Sequence, residues 1–380
     1  METVKGFGDY TGKEALKREK IKEILAQTFN LFGFEPAETP IVEYEEFVRG
    51  ENANDEAVSD IFKLEDKGKR KLALRYEFTF QLKRISQNKK LPYKRYQIGP
   101  VFRDEPTTGN RWRQFTQCDV DVIGSTIKDE AEILKIASEV LSNLGIKFTI
   151  NINNRKLLNE ILDKEKIKDK SEVIREIDKL DKLSEKEVKE NLKKYGAEKI
   201  LNLFSKPEDY FEKYDSYKEI KELQEVCSLY GVKVKFIPFL ARGLSYYNGS
   251  IFEIKSDIKE TISAGGSYLV NGIQSTGISL GLDRLEILSK LKEENKKALI
   301  ISLGKDKEAI KLACFLRKNN LPCVITYGKV TKALEYANSY TIPYVIFIGE
   351  EEVKKNKILL KDMKTGKESF VDEKELLKKI

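Results

Sequence analysis

Three arginines, Arg103, Arg111 and Arg113, fall within the stretch QIGPVFRDEPTTGNRWRQFTQCDVDVIG at 97–124, interleaved with Glu105, Phe115, Gln117, Asp119 and Asp121. Side chains of a strand alternate between its two faces. From residue 111 on, the odd positions therefore put two guanidiniums, a ring, an amide and two carboxylates on one side. The even positions, Trp112, Gln114, Thr116, Cys118, Val120 and Val122, make a more apolar side suited to a core. Arginine grips phosphate oxygens bidentately and keeps its charge at any relevant pH. An aromatic ring offers a base a stacking surface, and a carboxylate accepts from an exocyclic amine. A nucleoside triphosphate satisfies this set; an ion-pair ladder on an exposed sheet face would use the same residue types.

The chain contains no histidine, which removes the usual general base, the usual metal ligand and a Ser-His-Asp triad. Chemistry must run on arginine, carboxylates, tyrosine, a bound metal or the substrate itself. The four cysteines, Cys118, Cys227, Cys314 and Cys323, form no CxxC pair and read as reduced small hydrophobes. The net charge is +7, mild by itself. Residues 298–380 hold 16 Lys and Arg against 11 Asp and Glu, so most of the excess sits there. No run approaches the ~20 apolar residues of a membrane span, and the N-terminal stretch lacks an apolar signal core, so a cytosolic (cytoplasmic) protein is expected.

The elements that must carry the arginines can be read from periodicity. Residues 13–34 space Ile21, Ile24, Leu25, Phe29 and Phe32 as a helix that Gly33 stops. A strand interrupted by Pro40 follows at 35–47, with further strand patterns at 60–77, 94–104 and 111–124 and a helix at 129–144. Residues 154–235 are charged with apolar residues at helical intervals, and read as a helical insertion. Strands return at 232–255, 260–270 and 275–281, and LDRLEILSKLKEE closes the region as a helix. Residues 296–380 alternate apolar strands with helices, the pattern of a small α/β domain.

At this point the sequence resembles a known family. VFRDEPTTGNRWRQF resembles motif 2 of class II aminoacyl-tRNA synthetases, STGISLGLDRLEIL resembles motif 3 with Arg284, and the first helix with ETPIVE resembles the dimer motif. LARGLSYYNGSIFE looks like the histidyl-tRNA synthetase signature RGLDYYTG, ALRYEFT like LRYDLT or LRPEGT, and RQFTQCDVDVIG like RQFxQxDxDxxG. The resemblance covers almost the whole chain. It implies an α+β fold: a class II antiparallel sheet flanked by helices over 1–153 and 236–295, a helical insertion over 154–235, and an anticodon-binding domain over 296–380.

It also implies a reaction and partners: L-histidine and ATP give histidyl-adenylate and pyrophosphate, and histidine then passes to the 3′ end of its tRNA, in a homodimer. Activation needs no side-chain base, because the amino acid carboxylate is the nucleophile; positioned cations stabilise charge at the α-phosphorus. By motif, Arg103 would hold the carboxylate and α-phosphate, Arg242 would be the family's own catalytic arginine on the α-phosphate, and Arg284 with Arg111 or Arg113 would hold the other phosphates. Phe115 would stack on adenine, Glu105 would meet its amine, and Mg2+ would bridge phosphate oxygens. Neutral imidazole has one donor and one acceptor nitrogen. Asp121 would accept from the donor, Tyr247 beside Tyr246 would donate to the acceptor, and Glu77, Thr79 and Gln117 would bind the α-ammonium. Neighbours on a strand point oppositely, so one of the two tyrosines is expected to face the core.

The chain departs from the pattern at Ser245, where the family has Asp, at Ser267 and Leu269 in SAGGSYLV, where GGRYD has Arg and Asp, and at Thr116, where His is frequent. The rival readings are a non-charging paralogue serving as regulatory subunit of ATP phosphoribosyltransferase, a class II synthetase for another amino acid, and a tRNA-binding module without catalysis. The first tends to lose catalytic arginines and the C-terminal domain; this chain keeps both.

Overall fold

The computed structural model describes residues 1–50, 56–107, 112–181, 183–241, 246–258, 261–291 and 296–380. The chain divides into two compact units, Met1–Leu291 and Lys292–Ile380.

The first unit is built on an eight-stranded sheet. Its strands are β1 (Glu35–Pro36), β2 (Tyr93–Phe102), β3 (Gln114–Ile123), β4 (Thr149–Asn154), β5 (Val234–Phe236), β6 (Ser250–Lys255), β7 (Ser263–Val270) and β8 (Ile273–Gly281), in the spatial order β1-β2-β3-β8-β7-β6-β4-β5. All pairings are antiparallel except those at the two edges, β1 with β2 and β4 with β5. Alternation sorts the residues. Cys118, Val120 and Val122 of β3 turn to one face with Phe252, Ile254, Ile278 and Leu280, all essentially inaccessible to solvent.

Three helices cover that face: α1 (Gly12–Leu31), α3 (Ile127–Asn143) and α4 (Tyr217–Leu229), numbered around a shorter α2 (Thr79–Ile85). Ile21, Leu25 and Phe29 recur at helical spacing on α1 and are fully buried; truncating one to Ala in such a core costs about 2–5 kcal/mol. Gly33 ends the run at φ +77, a left-handed conformation that glycine adopts without penalty. Between β4 and β5 come the charged helices Arg155–Lys164, Lys170–Asp178 and Glu185–Lys193, which bury only their apolar stripes, such as Val188 and Leu192. A separate three-stranded sheet, Val42–Tyr44, Lys71–Leu74 and Lys63–Glu65, stands before β2 in sequence. The single interrupted strand expected over 35–47 is instead two short strands followed by the helix Glu45–Arg49.

The second unit has five strands: β9 (Ala298–Ser302), β10 (Cys323–Thr326), β11 (Tyr344–Ile348), β12 (Ile358–Asp362) and β13 (Glu368–Val371), ordered β10-β9-β11-β12-β13. The first three are parallel and the last two antiparallel. Being covered on both sides, β9 and β11 are apolar apart from the terminal Ser302 of β9. Ile300 and Ile346 pack with Leu312 and Leu316, whereas Leu299, Ile301 and Val345 pack with Ala333 and Ala337. All four cysteines are unbonded, and burial pushes the Cys227 thiol up to about 12. No described helix is long and apolar enough to cross a membrane.

Candidate active site

The site lies on the sheet face opposite α1 and α3. Its first wall is the segment after Leu74, and Arg75 fixes it. The Arg75 guanidinium is buried and donates to the carbonyls of Pro100 at 2.9 Å and Thr39 at 2.7 Å, while its own carbonyl accepts from Phe102 N at 3.0 Å. It passes so close over β2 that a Cβ on Gly99 would stand 3.0 Å from Nη2. Tyr76, Glu77, Phe78 and Thr79 are thereby held above the middle of the β2–β3 hairpin.

Register builds the floor. Arg95, Asp121, Gly277 and Gly266 form one row across β2, β3, β8 and β7; Gln97, Asp119, Ser279 and Ala264 form the next. The glycines are required by close approach. A Cβ on Gly277 would sit 2.0 Å from Asp121 Oδ1, and one on Gly266 would sit 3.0 Å from the Tyr247 ring and 2.4 Å from the Ser250 carbonyl. The Asp121 carboxylate and the Tyr247 ring lie in the room those missing side chains leave.

The electrostatics are unusual for a protein interior. Glu77, Asp119 and Asp121 are each about 4% exposed, and Arg95 is fully buried. Arg95 Nη2 stands 2.9 Å from Asp121 Oδ2, an ion pair without an aligned hydrogen bond, and the Tyr268 hydroxyl donates to Asp121 Oδ1. Gln117 Nε2 donates to both Asp119 oxygens, at 3.0 and 2.9 Å. Burial pushes the Glu77 carboxyl up to about 7, against the pull of Arg103 and with a push from Asp119 and Asp121. Asp119 is driven to about 6 by burial and then by the Asp121 charge; Asp121 is raised by burial and held back by Arg95 and Tyr268. Among the described residues, three carboxylates thus stand near two guanidiniums, Arg95 and Arg103. Buried carboxyls raised in this way are the acceptors that an incoming ammonium group needs.

Arg103 follows β2 and is paired across the hairpin, its N–H donating to the Arg113 carbonyl at 2.8 Å. Its Nε donates to the Tyr76 carbonyl at 3.2 Å, and its guanidinium lies 5.1 Å from the Phe115 ring centroid. Arg113 donates to the Glu105 carbonyl at 3.1 Å and pairs with Asp104 at 3.2 Å. Arg284 lies in the first turn of the helix α5 (Leu282–Leu288), just past Gly281, whose strand partner is Gln117, and donates to the Thr261 carbonyl. Arg113, Phe115 and Glu105 therefore gather near the start of β3, while Arg284 stands just past the end of β8, bonded to the segment before β7. Asp283 ties this end together: it accepts from Thr116 N at 3.2 Å and pairs with Arg18 of α1 at 2.8 Å, while Arg18 reaches Thr116 Oγ1 at 3.4 Å and Glu286 at 2.9 Å. One buried guanidinium thus links the first helix, the hairpin and the last helix.

Most residues singled out from the sequence meet here. Glu77, Thr79, Arg103, Gln117, Asp121, Tyr246 and Tyr247 belong to one cluster, in which Thr79 hydrogen-bonds Tyr246 and both tyrosines feel the Glu77 charge. Arg111, Arg242 and Ser245 lie outside the described residues. The expected split of the two tyrosines does not occur: their ring centroids are 5.1 Å apart, and both pack near Tyr268, at 5.5 and 6.4 Å. They precede β6 rather than lying in it, so strand alternation does not govern them. Nor does alternation reach back to 111: β3 begins at Gln114, and Trp112 is 41% exposed instead of packing on the core. Sequence reasoning placed Asp119 on the hairpin face without giving it a role, and missed Arg95, Arg75 and Tyr268 as members of the site.

An antiparallel sheet carrying an arginine hairpin, closed by a helix whose first turn bears a further arginine, defines a class II aminoacyl-tRNA synthetase catalytic fold. The histidyl-tRNA synthetase of Nostoc superposes over 100% of this chain and 99% of its own, with a TM-score of 0.86 and 25% identity. A Bacillus halodurans protein described as an ATP phosphoribosyltransferase regulatory subunit/histidyl-tRNA synthetase covers 91% of the chain and 97% of its own, with a TM-score of 0.78 and 23% identity, a likeness of fold. The family model for histidyl-tRNA synthetase matches residues 6–285 and that for an anticodon binding domain matches 297–380. Histidine–tRNA ligase 1 of Bacillus cereus is 35% identical over 97% of this chain and 96% of its own length, and histidine–tRNA ligase 2 of Shouchella clausii is 34% identical over 97% and 98%. The chain belongs to the histidyl-tRNA synthetase family.

Proposed function

We propose that the chain ligates L-histidine to its tRNA through histidyl-adenylate, forming AMP and pyrophosphate, and that the cluster around Glu77, Asp121 and Arg103 is where histidine is read. The observation that carries this reading is the set of three buried carboxyls, Glu77, Asp119 and Asp121, with tyrosine hydroxyls alongside. The α-ammonium of histidine enters between Glu77, Thr79 and Gln117, with the Glu77 carboxylate as its counter-charge. Asp121, oriented by Arg95 and Tyr268, accepts from the imidazole N–H, and Tyr247 donates to the other ring nitrogen, with Tyr246 supporting it. Burial raises both tyrosines well above 10, so each stays a donor at physiological pH. A pocket made of such hydrogen bonds discriminates by roughly 10⁴–10⁵ against ligands that leave them unpaired.

ATP lies along the hairpin. Arg103 and Arg242 hold the histidine carboxylate and the α-phosphate; Arg111, Arg113 and Arg284 take the outer phosphates; Phe115 stacks on adenine; Glu105 accepts from its amine. The carboxylate attacks the α-phosphorus and pyrophosphate leaves, and the fixed guanidiniums stabilise the charge that develops. No proton need be removed from the nucleophile, so a chain without histidine lacks nothing for this step. Mg2+ would accompany ATP and would supply charge neutralisation on its phosphates.

The catalytic core spans 1–153 and 236–295, the helical insertion spans 154–235, and 296–380 reads the anticodon. The molecule acts as a cytoplasmic homodimer. Incubation with ATP, labelled histidine and a histidine tRNA transcript tests the reading: label is expected in acid-precipitable tRNA. No histidine-dependent adenylate formation, and no label in tRNA, would point to the paralogue reading instead.

A further inference from the structure

On the opposite face of the sheet, behind the histidine cluster, lies a second polar cavity that the reaction does not use. Its volume is about 240 Å³, and it is lined by Ser125, Glu130, Lys156, Glu219, Ser250 and Ser267, with Glu222 at its rim. Tyr268 points to Asp121, so its neighbour Ser267 points the other way, toward α3, where its hydroxyl donates to Glu130 Oε1. Glu130 is 8% exposed, and its second oxygen, Oε2, has no hydrogen-bond partner; neither has the Ser125 hydroxyl, equally buried. A buried carboxylate oxygen left unpaired is costly.

The charge of the lining is one-sided. Glu130, Glu219 and Glu222 face a single ammonium, Lys156, and that ammonium is committed to Glu219 at 2.6 Å. The other Glu219 oxygen accepts from Asn154 at 2.8 Å, so the Lys156–Glu219 pair is self-contained. Burial raises Glu130, hydrogen bonds from Ser250 and Ser267 pull it back, and the Glu219 and Lys156 charges act on it in opposite directions. The shortness of Ser267 is what leaves the space, at the position where the GGRYD pattern carries arginine.

We propose that this cavity binds a small N–H-bearing cation, of guanidinium or alkylammonium type, with its charge on Glu130 Oε2 and a further N–H on Ser125 Oγ. The volume holds such an ion with water to spare, and the acceptors present, a carboxylate and hydroxyls, suit N–H donors. The site is independent of the histidine cluster, because it lies across the sheet from it and shares no residue with it.

The test is thermal unfolding of the full chain with 0–20 mM methylguanidinium chloride or methylammonium chloride, ionic strength held constant with sodium chloride. At tenfold excess over Kd, a saturable rise of about 2 °C is expected for at least one of the two ions. Which one saturates at lower concentration identifies the preferred headgroup. Glu130→Gln should abolish the rise. Ser267→Arg should place a tethered guanidinium on Glu130, raise the unfolding temperature without added ion, and remove the response. No saturable rise in the parent chain, or the same rise in Ser267→Arg, would overturn the proposal. If Glu130→Gln does not fold, the Ser267→Arg comparison decides alone.

Discussion

Glu77 is held in the folded chain at a cost, and removing its charge should expose that cost. Its carboxyl is carried from 4.5 to about 7, chiefly by burial. A carboxyl raised on folding contributes stability that is complete below its unfolded value, near 4.5, and is lost as pH rises through about 7. The interval corresponds to about 3 kcal/mol. For a unit the size of Met1–Leu291, an unfolding entropy of ~2.1 cal/mol/K per residue converts this to about 5 °C. Glu77→Gln should therefore raise the unfolding temperature by about 5 °C at pH 8.5, and the difference should close as pH falls toward 4.5. The same variant should raise KM for histidine by about 10- to 150-fold, the loss of one charge-assisted hydrogen bond to the α-ammonium. Scanning calorimetry across pH, paired with exchange kinetics at pH 8, reads both effects. A variant less stable than the parent at pH 8.5, or a stability difference indifferent to pH, would refute the reasoning, since either would mean that Glu77 is already balanced by a cation in the free protein.

Three further outcomes follow from the same geometry. Histidine binding should ionise Glu77 and release about half a proton per site near pH 7, visible by calorimetry as a binding enthalpy that varies with the ionisation enthalpy of the buffer; buffer-independent heats would contradict it. Gly277→Ala drives a Cβ to within 2.0 Å of Asp121 Oδ1, so histidine KM should rise at least tenfold with ATP KM nearly unchanged; parallel rises in both would place Asp121 elsewhere. Sedimentation should give a dimer at micromolar concentration, and a monomer would remove the dimer reading of the first helix and ETPIVE.

The periodic parts of the fold are legible in the sequence because burial and period coincide there. Helix α1 with its stop at Gly33 shows this; β3 is legible by residue type, with Cys118, Val120 and Val122 on one face, although Gln117 to Ile123 are buried on both faces. The site is half legible. Residues close in sequence on one hairpin, Arg103 to Asp121, announce themselves, because strand spacing alone puts their charges together. Arg95 does not, since only the pairing of β2 with β3 sets it opposite Asp121. Read in isolation, YKRYQIG carries an ordinary surface-like charge. Arg75 and Tyr268 are hidden for the same reason: each acts on a residue more than twenty positions away, through register or through a carbonyl on another strand. The tyrosine pair escapes the strand rule because both residues precede β6.

ATP–pyrophosphate exchange, run with each of the twenty amino acids in turn, tests the central claim most directly. Exchange with histidine alone, abolished in Arg103→Ala, is the expected result. Exchange driven by another amino acid, or none with histidine in a folded chain, would contradict it.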